Sequence, residues 1–318
     1  MQNNIKISVI IPAFNSENLI GRCIQSVLSQ SFSAYEIIIV DDGSTDNTEY
    51  EVAKFGNYVQ YIYQKNKGAG AARNLGAENA NGDYLAFLDS DDIWYTNHLY
   101  DASYLFSCYP EIQWYGSAYN KIINGNKYSF IYRGNYLQNN IINNYFLAQS
   151  ESNFSILHID NLVVSKKTFF QVGQFDTFFK KTQDRILYFK LALFTSKLLY
   201  NNIPNTEYII RSNSMISQYN QIAQPVTILS YLENLIYKSN HNNQIKGKLL
   251  LIYMINQKCN EAIYWDRFDI LKKILLEHGS KLPFIKRYMY KFISLTKKNR
   301  KLFLILKRRL KIHLNVDL

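Results

Sequence analysis

Apolar residues in the first ninety positions gather in short unbroken runs, each closed by a polar turn. Ile7 to Ile11 reads as a buried strand ended by Pro12. Leu19 to Leu28 puts Leu19, Ile20, Cys23, Ile24, Val27 and Leu28 at helical spacing. Ile37 to Val40 is a second continuous apolar strand, of the kind found in parallel sheets covered on both faces. Val59 to Tyr63 reads as a third strand, Gly70 to Ala80 as a helix and Tyr84 to Leu88 as a fourth strand. Strand alternating with helix predicts an α/β, Rossmann-like, mostly parallel sheet, with its ligand crevice at the C-terminal strand ends.

The middle is less regular. Ile123-Asn124-Gly125-Asn126 carries a hairpin-turn signal, Ser165 is a candidate cap for a short helix ending at Gly173, Arg185 to Leu199 reads as a helix and Tyr208 to Arg211 as a short strand. From about Gln224 the pattern is helical, with Ile228, Tyr231, Leu232, Leu235 and Ile236 three and four residues apart.

Composition sharpens this picture in two places. The three cysteines, Cys23, Cys108 and Cys259, have no paired spacing, which argues against a zinc motif or a disulfide framework and for a reducing, cytoplasmic setting. The N-terminal apolar stretch is too short for a signal peptide, and there is no run of about 18 apolar residues to span a membrane. The net charge of +11 is uneven. Residues 246–318 hold 18 Lys and Arg against 5 Asp and Glu, a net +13, while the rest hold 18 against 20, a net −2.

Polar segments follow each strand: Pro12-Ala13-Phe14-Asn15, Asp41-Asp42-Gly43-Ser44, Asn66 to Asn74, and Asp89-Ser90-Asp91-Asp92. Any one of them is an ordinary solvated loop. Four at one sheet edge converge on one crevice. There, Asp-Ser-Asp suits Mg²⁺ or Mn²⁺, hard cations that prefer oxygen, and Arg73 with the helix start near Gly70 adds positive potential for a phosphate.

These segments resemble the family 2 glycosyltransferases, in the family's order and spacing: Ser8-Val9-Ile10-Ile11-Pro12-Ala13-Phe14-Asn15, Val40-Asp41-Asp42-Gly43-Ser44-Thr45-Asp46, Ala72-Arg73-Asn74-Leu75-Gly76 and Phe87-Leu88-Asp89-Ser90-Asp91-Asp92. The resemblance implies a glycosyltransferase-A fold, an inverting transfer from a nucleotide-diphosphate sugar, and a divalent metal (Mg²⁺ or Mn²⁺). By that resemblance Pro12 and Phe14 flank the nucleobase, Asp42 binds it, Arg73 helps hold the nucleotide, Asp89 lies near the ribose and Asp91 is the metal ligand. Asn15, Gly68 and Ser90 complete the nucleotide-sugar set. The likeness continues through Val172-Gly173-Gln174-Phe175-Asp176 and Gln183-Asp184, where Asp184 keeps the carboxylate that serves the family as general base. Three positions depart from the pattern: Phe14 stands where Tyr is common, Gln183 where the first of two carboxylates is usual, and Asn213 where a His often follows an Arg.

The expected organisation is a glycosyltransferase-A domain over 1–222, with nucleotide-binding and acceptor-binding parts dividing near residue 95, and a helical basic extension over 223–318. Phe284 to Leu314 interleaves apolar residues with cations such as Lys286, Arg287, Lys291, Arg308 and Arg309, a pattern that suits an anionic membrane surface or a cationic bundle face. No nucleic-acid motif accompanies it, and nucleic acid is not an expected partner. The expected acceptor is a saccharide or lipid-linked saccharide of a bacterial surface polysaccharide, met at the inner face of the cell membrane. A sugar-nucleotide pyrophosphorylase would need a Gly-rich basic loop after the first strand, and Pro12-Ala13-Phe14-Asn15-Ser16 is not one. A binding protein that has lost activity is the other alternative; Asp42, Asp89, Asp91 and Asp184 speak against it.

Overall fold

The computed structural model describes residues 5–210 apart from 153, 180 and 181, then 225–239, and between 244 and 295 residues 244, 247–248, 251–252, 254–256, 258–259, 262 and 267–295. By compactness the chain divides into two units, residues 1–148 with 156–217, and residues 149–155 with 218–318.

In the first unit the α/β rhythm is as the hydrophobic runs predict. β1 (Ile7–Ala13) leads to α1 (Ile20–Leu28), β2 (Glu36–Asp41), α2 (Thr48–Ala53), β3 (Gln60–Tyr63), α3 (Ala69–Asn79) and β4 (Tyr84–Phe87). β5 (Ile93–Trp94), α4 (His98–Cys108), β6 (Trp114–Ser117), β7 (Tyr119–Ile123), β8 (Asn126–Phe130), β9 (Leu137–Gln138), β10 (Ile141–Ile142) and α5 (Tyr145–Glu151) follow, the last three residues of α5 being assigned to the second unit. Then come β11 (Val163–Ser165), α6 (Lys166–Gln171), α7 (Gln183–Phe194), β12 (Leu198–Asn201) and β13 (Thr206–Ile210).

The main sheet runs β3-β2-β1-β4-β11-β6-β12-β10-β9. Its β3, β2, β1 and β4 are mutually parallel, with Ile10 opposite Ile38 on one side and Phe87 on the other. Every residue of β1 is buried, which is why the run shows no polar alternation. α1 covers this sheet with Ile20, Cys23, Ile24 and Val27, the stripe expected from its spacing. β11 enters antiparallel between β4 and β6, β12 then pairs parallel with β6, and β10 and β9 add antiparallel, so the sheet is mixed beyond β4. A second sheet, β5-β13-β7-β8, stands beside it. The β7–β8 hairpin turns at Asn124 and Gly125, both with positive φ (50° and 79°), as an Asn-Gly pair allows.

Two sequence readings need correction. The helix expected over Arg185 to Leu199 is α7, which starts at Gln183 and stops at Phe194; Leu198 and Leu199 belong instead to β12. Apolar runs of this length cannot tell a helix end from a buried strand. Ser165 does precede α6, but its side chain makes no capping bond. The strand expected at Tyr208 to Arg211 is β13, described as far as Ile210.

The second unit holds α8 (Pro225–Lys238) and two further helices, Phe268–Glu277 and Phe284–Leu295. Among its described residues, Leu229, Leu232, Ile236, Leu271 and Ile274 are buried. No helix among the described residues is long and apolar enough to cross a membrane. Asn213 and the cations from Lys297 onward lie outside the described residues.

Candidate active site

Because β1, β2 and β4 are parallel, the loops leaving their C-terminal ends meet at one edge. Pro12 is buried in β1 opposite Val40, while Phe14, just past the strand, is 50% exposed. Asn15, at φ 49°, links this loop to the next: its N–H donates to Ser44 Oγ (2.9 Å) and its Oδ1 accepts the Thr45 N–H (2.9 Å).

Asp42 is buried at the end of β2. Its Oδ1 accepts from Gln64 Nε2 (2.6 Å) and the Lys67 N–H (2.8 Å), and its Oδ2 from the Gly68 N–H (2.7 Å). The carboxylate thus holds the loop before α3. Gly68 sits at φ 91° with ψ 155°, a conformation that only glycine adopts without strain.

One turn into α3, Arg73 is buried and pairs with Asp89, the first residue after β4 and Leu88. Its guanidinium also lies over the Phe175 ring, 5.4 Å from the centroid. Asn74 exchanges two hydrogen bonds of 3.0 Å with the Phe175 main chain, which fastens the Gly173-Gln174-Phe175 loop to α3. Gln183 opens α7 with its side chain against Gly70. Asp184, half-buried in the first turn of α7, lies close enough that its charge adds to Asp89 in holding the Arg73 proton tightly. Arg73 thus links the Asp89 loop with the start of α7, which bears the candidate base.

The Asp89–Asp92 loop is tied down residue by residue. The Asp89 N–H donates to Asp160 Oδ1 (2.8 Å), the Ser90 hydroxyl bonds to that of Ser16 (2.8 Å), Arg22 Nη2 donates to the Asp91 carbonyl (2.5 Å), and the Ile209 N–H donates to Asp92 Oδ1 (2.7 Å). Behind the loop, Asp92 and Asp160 are fully buried, and His158 Nδ1 lies 2.6 Å from Asp160 Oδ2. Burial and the adjacent Asp160 push the Asp92 carboxyl well above its ordinary range. Burial also opposes charge on Asp160, but the His158 imidazolium outweighs it and holds Asp160 ionised; the same pair raises His158 against its own desolvation.

Asp92, His158 and Asp160 each offer a ligand atom within 4.8 Å of the others. Two of the three are sealed from solvent and the third is spent on its ion pair, so the group is closed to a cation that must also touch a diphosphate. Asp91, half-buried, is better placed. A partly accessible carboxylate in an Asp-Ser-Asp turn offers the hard oxygen that fits Mg²⁺ or Mn²⁺.

The family model for glycosyl transferase family 2 matches residues 8–189, more than half of the chain. The chain belongs to glycosyl transferase family 2. An uncharacterised glycosyltransferase of Rickettsia conorii is 48% identical over 99 residues, 30% of this chain and 16% of that protein. Escherichia coli WfgD, a UDP-Glc:alpha-D-GlcNAc-diphosphoundecaprenol beta-1,3-glucosyltransferase, is 41% identical over 95 residues, 29% of this chain and 38% of its own. In both cases the matched stretch spans well under two thirds of the relative. Among solved structures, S. aureus TarS 1–349 in complex with UDP-GlcNAc superposes with a TM-score of 0.71 at 17% identity, covering 96% of this chain and 92% of that one, and so shares the fold. The glycosyltransferase-A architecture expected for this family 2 glycosyltransferase is the one it has.

Asp160 and His158 escaped the sequence reading. His158-Ile159-Asp160-Asn161 lies in a short turn without periodicity, and the Asp160–Asp89 contact spans 71 positions. The only local signal was a His-x-Asp pair, too common to single out.

Proposed function

We propose that this glycosyltransferase moves a sugar from a nucleoside-diphosphate donor to a hydroxyl of a saccharide acceptor by direct displacement, with inversion. The observation that supports the reading is that the Asp184 charge acts on Arg73, which itself pairs with Asp89 of the loop that bears Asp91. Phe14 and Pro12 would flank the base. Asp42 would act by holding Gln64, Lys67 and Gly68 in place around it. Asn15 and Ser90 join neighbouring loops and keep the donor pocket in shape, while Arg73 with Asp89 forms its floor toward the ribose. Asp184 takes the proton of the acceptor hydroxyl as that oxygen bonds to the anomeric carbon and the nucleoside diphosphate leaves from the other face. A divalent cation on Asp91 would supply Lewis-acid charge at the diphosphate.

The names of WfgD and of the TarS complex support a UDP-sugar donor, and WfgD's supports a diphosphoundecaprenol-linked acceptor in surface-polysaccharide synthesis. The net +13 of residues 246–318 supports an anionic membrane surface as the place where such an acceptor is met. Melting temperatures with UDP or GDP, each with and without Mn²⁺, test the donor side. UDP should stabilise the wild type more with Mn²⁺, and Asp91→Ala should lose that increment while remaining folded. An unchanged increment in the variant removes Asp91 from the metal site.

A further inference from the structure

We infer that Asp160, held by His158, is a positioning residue that sets the Asp89–Asp92 loop for metal binding. The inference rests on the reading of Asp91 as the metal ligand. Asp160 is fully buried, and its two oxygens do different work. Oδ1 accepts the main-chain N–H of Asp89 (2.8 Å), the residue at which the chain leaves β4 for the Asp-Ser-Asp turn. Oδ2 is held by His158 Nδ1 (2.6 Å). The residue is fixed from behind as well, since Trp94 Nε1 donates to its carbonyl (2.6 Å).

The loop closes on itself through the Asp92 N–H donating to the Asp89 carbonyl (3.0 Å). Turning Asp89 therefore turns Asp91 with it. A charge-assisted bond to the Asp89 N–H is stronger than a neutral one, and it sets where the turn begins. His158 pairs with Asp160 through Nδ1, while its ring packs tilted against Tyr208 of β13 with centroids 4.1 Å apart. Ile209, next in that strand, donates its N–H to Asp92. The metal-binding turn is thus held from one side by Asp160 and from the other by β13. The role is that of an outer residue which orients a ligand without touching the metal.

The test is UDP binding to the full chain, measured without metal and across a Mn²⁺ titration. Asp160→Ala should raise the Mn²⁺ concentration for half-maximal enhancement at least about tenfold, the scale for losing a ligand's support. Its metal-free UDP affinity should fall by a smaller factor than the Mn²⁺ requirement rises, about threefold at most, because Pro12, Phe14 and Asp42 lie on other loops and only Asp89 and Ser90 share the loop that Asp160 holds. Asp160→Asn keeps an oxygen for the Asp89 N–H and should stay within about threefold of the wild-type Mn²⁺ requirement. Should the alanine variant not fold, His158→Ala frees Oδ2 and should raise the Mn²⁺ requirement in the same direction. A wild-type Mn²⁺ requirement in folded Asp160→Ala, or in His158→Ala, overturns the positioning role. So does an Asp160→Asn loss as large as the alanine loss, which would make the carboxylate itself a ligand. Absence of any Mn²⁺ effect in the wild type overturns the metal reading beneath it, and that arm is separate from the variants.

Discussion

The main-chain N–H of Gly68 donates to Asp42 Oδ2 over 2.7 Å, and this bond joins the end of β2 to the start of α3. With the Lys67 N–H and Gln64 Nε2 on the other oxygen, Asp42 satisfies three donors at once. Asp42→Ala should cost about 2–4 kcal/mol in chemical denaturation, because hydrogen bonds to a charged group are lost and two main-chain donors are orphaned. It should also weaken UDP binding. A variant as stable as the wild type would mean that the loop holds itself.

Gly70 and Gln183 pack in contact, and a Cβ on residue 70 would stand 2.5 Å from Gln183 Oε1. Gly70→Ala should push the amide away and disturb the start of α7, weakening UDP binding by about threefold or more, the scale of modest overpacking. Gln183→Ala removes the obstructing atoms, so the double variant should recover to within about twofold of wild type. Additive losses in the two single variants would show that the contact is incidental.

His98 makes a pH prediction. It is fully buried between Trp94 and Tyr115, and neither ring nitrogen has a hydrogen-bond partner among the described residues. Burial holds its pKa down at about 3. The ring is neutral in the folded protein, whereas the unfolded chain takes up a proton below about pH 6.5. Its contribution to stability is therefore complete above that pH and is lost as the pH falls toward 3. Between pH 7 and pH 5 the loss should be about 2 kcal/mol from this residue. His98→Phe should flatten the acid limb of stability against pH by that amount; an unchanged limb would show that the imidazole is not buried in neutral form.

Local signals were legible and distant ones were not. Asp89-Ser90-Asp91 follows a four-residue apolar strand, and Arg73 lies just inside a helix that begins after a glycine; both features are visible within ten residues. The insertion of β11 between β4 and β6 was hidden, because antiparallel pairing of Val163 with Ala86 leaves no trace in either run. The turn at His158–Asp160 was hidden for the same reason. Its function exists only once a stretch of chain 71 positions apart at its ends has folded. Asp42 was legible as a site residue, but its attachment to the Lys67 and Gly68 main chain was not, since backbone donors carry no sequence signature.

The cationic C-terminal part leads to a salt-dependent expectation. Removing the chain after about Leu282 deletes most of the net +13 held by residues 246–318 and should leave UDP binding intact, since the strand-end motifs all precede it. Sedimentation with anionic vesicles should fall sharply on truncation. For the full chain it should weaken with salt, as the screening length drops from about 10 Å at 0.1 M to about 3 Å at 1 M. Equal sedimentation of both forms would assign the cations to a solvated helix face.

The most direct measurement is donor turnover by Asp184→Asn, followed as UDP release from UDP-sugars in the presence of Mn²⁺ and a saccharide acceptor, beside UDP binding by the same protein. The substitution preserves shape and removes the proton acceptor. Binding should stay near the wild-type value, and turnover should fall at least about a hundredfold, the scale for losing a general base. Near-normal turnover with normal binding would contradict Asp184 as the base and, with it, the proposed displacement.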